Sequence, residues 1–161
     1  ELKMRIATIT ISTSKSAGEG EDAGTPAIQA FVEQLGAELA GSELIPDDQE
    51  LITERLKHWA DDESVNAVFT TGGTGLAMSD VTPEATLAAI DREAPGIAEA
   101  LRLASKDHTK YWMMSRGIAG LRGRTMIVNF PGNPRAIAES GEPLVATLEH
   151  AMALLLDDAG H

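Results

Sequence analysis

Three apolar runs rich in β-branched residues, 4–12 (MRIATITIS), 67–71 (AVFTT) and 124–130 (RTMIVNF), alternate along the chain with stretches patterned for helices. Strands spaced in this way predict βαβ units, and therefore a mainly parallel sheet with right-handed crossovers. The first long helix is expected at Thr25-Pro26, an N-cap and a first-turn proline, with Ile28, Phe31, Val32 and Leu35 at helical spacing. A short strand at 43–45 leads to Pro46-Asp47-Asp48, where a carboxylate can cap the helix carrying Leu51, Ile52, Leu56 and Trp59. Thr82-Pro83-Glu84 opens a helix to about Asp91, with Thr82 as its cap, and another runs from Ile97 to about Ser105. Arg122-Gly123 reads as the turn between 117–121 and 124–130. Pro134 starts a final helix to about Leu156, with an interruption expected near Gly141 and Pro143. Residues 1–161 are thus expected to form one domain, an α/β three-layer sandwich with a mainly parallel sheet plus a β-hairpin.

Composition narrows the partners. The formal charge of −12 and the presence of only five lysines argue against nucleic acid, whose phosphates require clustered cations. Any anionic ligand must be held locally, by backbone amides, a few arginines or a metal ion. The chain has no cysteine, which excludes disulfides, thiolate metal sites and a cysteine nucleophile, and fits a cytoplasmic setting. No apolar stretch approaches the roughly 20 residues of a membrane span, and the opening ELKMRIATITIS is too short and strand-like for a secretion signal, so no membrane partner is expected.

In a parallel sheet, ligands sit beyond the carboxyl ends of the strands. The loops 12–24, 46–48, 72–80 and 131–135 should therefore converge on one rim. In the stretch TTGGTG (70–75), Gly72, Gly73 and Gly75 can take positive φ and turn successive N–H groups toward an anion, while Thr71 and Thr74 add hydroxyls. The helix opening at Pro83 adds its positive dipole end. Together these form a candidate phosphate cradle, with a ligand-free tight turn as the plainer alternative. The spacing is neither that of a P-loop nor that of a dinucleotide fingerprint.

Asp47 and Asp80 each precede a predicted helix, where an N-cap is the simpler role. Thr82 and Asp48 can serve as caps instead, which would free both acids. Two carboxylates beside a phosphate cradle would repel a nucleotide unless Mg²⁺ bridged them. Arg116, Arg135 and Lys106 could neutralise phosphate or simply be solvated surface charges. The histidines at 58, 108, 150 and 161 share no metal-ligand spacing and read as surface or packing residues; Trp59 and Trp112 read as core or interface.

Taken as a set, Thr70-Thr71-Gly72-Gly73-Thr74-Gly75, Asp80-Val81-Thr82-Pro83-Glu84-Ala85 and Pro131-Gly132-Asn133-Pro134-Arg135 resemble the MoaB/Mog family of molybdenum-cofactor biosynthesis proteins, as do ITISTSKSAGEGEDAG, LIPDD and DREAPGIAEALR. The resemblance covers nearly the whole chain. It implies a molybdopterin-binding-like α/β fold and a molybdopterin adenylyltransferase, which transfers AMP from ATP to the terminal phosphate of molybdopterin with Mg²⁺ and releases pyrophosphate. A protein of the same fold that binds molybdopterin without transfer is the alternative. By the same resemblance Asp47 and Asp80 are the functional acids and metal ligands. Substrate contacts then fall on Ser12, Thr71, Gly72, Gly73, Thr74, Gly75, Ser115, Arg116, Pro131, Gly132, Asn133 and Arg135. A homo-oligomer, trimer or hexamer, and a molybdenum-insertion partner are also implied. Two positions depart from the pattern: Ser79 replaces an arginine common before the motif aspartate, and Thr13-Ser14 replaces Asp-Arg, with Lys15 as a candidate substitute cation.

Overall fold

The computed structural model describes residues 3–157. Six strands, β1 (Arg5–Ile11), β2 (Glu38–Ile45), β3 (Ala67–Thr71), β4 (Arg92–Glu93), β5 (Ala119–Arg122) and β6 (Thr125–Phe130), form one sheet in the order β2-β1-β3-β6-β5-β4. The first four in that order are parallel; β5 pairs antiparallel with both β6 and β4. The expected hairpin is present, with Gly123 at φ 57° in the turn between β5 and β6. Such an angle is easy for glycine and strained for other residues.

The helices are α1 (Thr13–Ser16), α2 (Gly24–Gln34), α3 (Gln49–Ala60), α4 (Thr82–Ala89), α5 (Pro95–Ser105) and α6 (Pro134–Leu156). Both faces of the sheet are covered, and this is why β3 and β6 are buried at every residue, the polar Thr70, Thr71, Thr125 and Asn129 included. One core lies under α2, α5 and α6 and includes Phe31, Phe69 and Phe130, with ring centroids 5.0 to 6.2 Å apart. The other lies under α3 and α4 and includes Ile9, Ile52, Leu56 and Ile127. Phe69 and Phe130 anchor β3 and β6 just before the two loops that matter most, and removing either ring should cost about 3–5 kcal/mol.

Several local expectations fail. β2 begins at Glu38, well before 43–45, because pairing with β1 makes a strand of a half-exposed segment that contains Gly41. α2 opens at Gly24, and its first amides, Gly24 N and Thr25 N, donate to Asp22 Oδ1 at 3.0 and 3.1 Å; Thr25 instead donates to Thr10 Oγ1. α4 stops at Ala89, and the residues that follow form the edge strand β4. α6 runs unbroken through Pro143, because Ile137, Gly141, Leu144 and Leu148 bury one face of it. Gly141 allows this close approach, since a Cβ there would stand 2.4 Å from Phe31 Cζ. Among the described residues no helix is long and apolar enough to cross a membrane.

Candidate functional site

Loops from the carboxyl ends of β1, β2, β3 and β6 meet at one rim, as the parallel topology requires. The loop after β3 is the centre. Gly72 and Gly73 have φ of 100° and 69°, and a Cβ on Gly72 would lie 2.2 Å from the Ile11 carbonyl oxygen. Gly132 packs on Gly72, so the β3 and β6 loops touch through bare backbone. Thr71 donates from Oγ1 to the Pro131 carbonyl at 2.7 Å and reinforces that contact.

A chain of buried hydroxyls holds the loop from behind. Asn129 donates to Thr70 Oγ1 and Thr86 Oγ1, each at 3.0 Å, and Thr86 donates to the Thr82 carbonyl. Thr82 then donates to the Gly72 carbonyl at 2.9 Å. Thr82 is therefore a loop brace and not a helix cap: the cap position of α4 is Val81, with no side-chain hydrogen bond. Asp48 does cap α3, accepting from Leu51 N at 3.0 Å. A fully satisfied buried network of this kind rigidifies what it holds.

Arg116 braces the same loop from outside. Its guanidinium donates to the carbonyls of Gly75 and Asp80 and to both oxygens of Glu84, and its own amide donates to the Thr74 carbonyl. The hydrogen bond from Arg116 holds the Glu84 carboxyl below its usual range, and the same bond raises the arginine. With its donors engaged in this way, Arg116 positions the cradle.

The consequence is a loop whose outer amides are free. Gly73, Thr74 and Gly75 donate their N–H groups to no acceptor among the described residues. They open into a cleft of about 610 Å³ between the loop, α5 and the start of α6. Of the residues singled out in the sequence, Gly73, Thr74, Gly75, Asp80, Ser115, Pro131, Gly132, Asn133 and Arg135 line it. Ser12, Asp47, Thr71, Gly72 and Arg116 stand outside that lining and shape it. Ser12 accepts from Lys15 N as the cap of α1, and Asn133 accepts from Arg135 N as the cap of α6. The exposed guanidinium of Arg135 has no partner among the described residues. Lys106 lies 5.9 Å from the Trp112 ring centroid, and Lys15 donates to the Glu19 carbonyl within its own loop.

The two acids flank the cradle. Asp47 Oδ1 is 3.1 Å from where a Cβ on Gly73 would be, and Asp80 Oδ2 is 2.9 Å from the equivalent point on Gly75. Gly73 and Gly75 are two residues apart, with Cα atoms at most about 7 Å from one another, so the two acids stand against neighbouring residues of one short loop. Each has one oxygen held. Thr13 donates to Asp47 Oδ2 from its N–H at 3.1 Å and from its hydroxyl at 2.8 Å, and Ala77 N donates to Asp80 Oδ2 at 3.2 Å. The other oxygen of each has no donor among the described residues. Hard, partly free carboxylate oxygens beside free amides fit a divalent cation such as Mg²⁺, which takes one or two carboxylates and completes its shell with other oxygen ligands and water.

Some of the cleft was missed in the sequence. Its far wall comprises Leu101, Arg102, His108, Trp112 and Glu139, with His108 Nδ1 on Glu139 Oε2 at 2.7 Å. These residues lie on α5, the loop after it and α6, and only the packing of α5 on α6 assembles them; Trp112, read as core or interface, is half-buried in this wall. Of the other histidines, His161 lies outside the described residues.

Residues 7–150 match the family described as "probable molybdopterin binding domain". The chain is 41% identical over 141 residues to the molybdopterin adenylyltransferase of Haemophilus influenzae, covering 86% of this chain and 72% of that one. It is 39% identical over 142 residues to that of Escherichia coli K12, with the same coverage of each. In structure it is similar to the molybdopterin biosynthesis enzyme MoaB of Thermus thermophilus, with a TM-score of 0.88, 42% identity and coverage of 94% of this chain and 96% of that one.

Proposed function

The chain belongs to the family of probable molybdopterin-binding domains of the MoaB and Mog type, and from that membership we propose that it is a molybdopterin adenylyltransferase of molybdenum-cofactor biosynthesis, a nucleotidyltransferase using ATP. The observation that carries the chemistry is the row of unpaired amides at Gly73, Thr74 and Gly75 between two half-free carboxylates.

An oxygen of the molybdopterin terminal phosphate attacks the α-phosphorus of ATP. The bond from that phosphorus to the β-phosphate oxygen breaks, and pyrophosphate leaves. The nucleophile is already anionic at neutral pH, so the residues need only position it and neutralise charge. The free amides and the Arg135 guanidinium bind phosphate oxygens, with the N-terminus of α6 behind them. Leu101 and Trp112 offer an apolar wall for a flat heterocycle. Asp47 and Asp80 would hold Mg²⁺, which supplies positive charge against the phosphates when bound. Thr13 serves that arrangement by donating to Asp47, where a third acid would repel it. A cytoplasmic homo-oligomer, trimer or hexamer, delivering its product to a molybdenum-insertion protein belongs to the same reading.

The test is incubation of purified protein with molybdopterin, ATP and Mg²⁺, with separation of the products by chromatography. Adenylylated molybdopterin and pyrophosphate in equal amounts are expected. Tight molybdopterin binding with no nucleotide turnover overturns the transferase and leaves a pterin-binding protein.

A further inference from the structure

Glu139 is out of place in a cleft meant for anions. The chain carries −12 overall, and a carboxylate facing bound phosphates repels them unless it has donors of its own to satisfy. It sits one turn along α6 from Arg135, about 6 Å further from the phosphate end. Arg135, Ala136, Glu139 and Ser140 share the face of α6 that lines the cleft. Glu139 is aimed by His108, whose Nδ1 holds Oε2 at 2.7 Å, while Oε1 has no donor among the described residues. The Glu139 side chain remains a third exposed.

We propose that Glu139, oriented by His108, reads the 2-amino-4-oxo edge of the pterin ring and so decides which heterocycle occupies this end of the cleft. This rests on the reading of the cleft as a molybdopterin site. A ligand whose phosphate lies on the Gly73–Gly75 amides and Arg135, with its fused rings directed along α6, brings its far edge toward Glu139 with Leu101 and Trp112 as the apolar wall. A carboxylate has about four lone-pair sites, so Glu139 can keep its close contact with His108 and still accept two donors. The pterin edge presents an adjacent ring N–H and amino group, which match a carboxylate. Adenine presents an amino donor beside a ring-nitrogen acceptor, whose lone pair would face one carboxylate oxygen. The same carboxylate therefore favours the pterin and disfavours the nucleotide base.

The test is equilibrium titration of wild type and Glu139→Gln with molybdopterin and separately with ATP, then competition of bound molybdopterin by pterin and by lumazine, its 2-oxo counterpart. Wild type is expected to prefer pterin over lumazine. Glu139→Gln is expected to lose that preference, to bind molybdopterin about tenfold or more weakly, and to keep its ATP affinity within about twofold. His108→Ala, which keeps the carboxylate, should retain the preference with a smaller loss. Unchanged molybdopterin affinity in Glu139→Gln overturns the proposal, as does weakened ATP binding with the preference intact. Absence of a preference in wild type overturns it without any variant. A wild type that binds no molybdopterin at all fails the functional reading itself, a different and recognisable result.

Discussion

Two clefts of nearly equal size, about 610 and 620 Å³, differ in almost everything else. The first opens at the carboxyl ends of the parallel strands and holds amides, an arginine and carboxylate oxygens that have no partner among the described residues. The second, at the opposite end near Asp61, Asp91 and Arg122, is largely self-satisfied. There Arg122 donates to Asp61 and to the Ala89 carbonyl, and Asp91 accepts from Gly123 N at 2.7 Å. That donation from Arg122 pulls the Asp61 carboxyl below its usual range. Volume does not distinguish the clefts. Unfulfilled hydrogen-bonding capacity does, because a ligand gains only where its polar groups meet partners that water alone was serving.

The sharpest way to break the comparison is Asp80→Asn, which removes a charge from the first cleft but keeps the side-chain shape. Transfer should fall by at least about 10²-fold, as for comparable electrostatic contributions, with the melting temperature little changed. Near-wild-type turnover would reduce Asp80 to the acceptor of the Ala77 amide. Next, Arg135→Ala should raise the KM for the phosphate-bearing substrates about tenfold while leaving kcat closer to wild type; steady-state kinetics with each substrate varied would show whether that cation is in use.

Glu84→Gln probes the brace and not the cleft. Because Arg116 depresses the folded-state pKa of Glu84, its stabilisation is fully present above the ordinary carboxylate range and is lost as pH falls through the depressed value. The melting-temperature gap between wild type and Glu84→Gln should be widest near neutrality and should close on acidification. A gap independent of pH would mean that the Glu84 charge contributes nothing to the brace. The smallest effect is expected from Arg122→Ala, at most about 1 kcal/mol in denaturant unfolding, as for exposed ion pairs, with pterin and nucleotide affinities unchanged. Lost ligand affinity in that variant would move the site to the second cleft.

The acids illustrate how an expectation of free carboxylates can rest on a capping assignment that the structure does not bear out. Local spacing frees Asp80 by giving the α4 cap to Thr82; in the structure no side chain caps α4, and Thr82 holds the Gly72 carbonyl. Arg116 is one of the substrate contacts that the family resemblance implies, yet its donors are engaged by Glu84 and two carbonyls. Spacing assigns a residue to a loop but does not say which way its side chain turns, and the hydroxyl chain through Asn129 depends on strands far apart in sequence.

What the amino-acid order determined alone was the alternation of strand and helix, and with it the rim that carries the candidate site, because period, capping residues and glycine's access to positive φ act over a few neighbouring residues. The tertiary structure alone decided which amides stay unpaired, how Asp47 comes to stand beside Gly73, and that α5 and α6 enclose the far wall with His108 and Glu139. Those depend on contacts between segments tens of residues apart, where packing and hydrogen-bond satisfaction across the whole core outweigh any local preference.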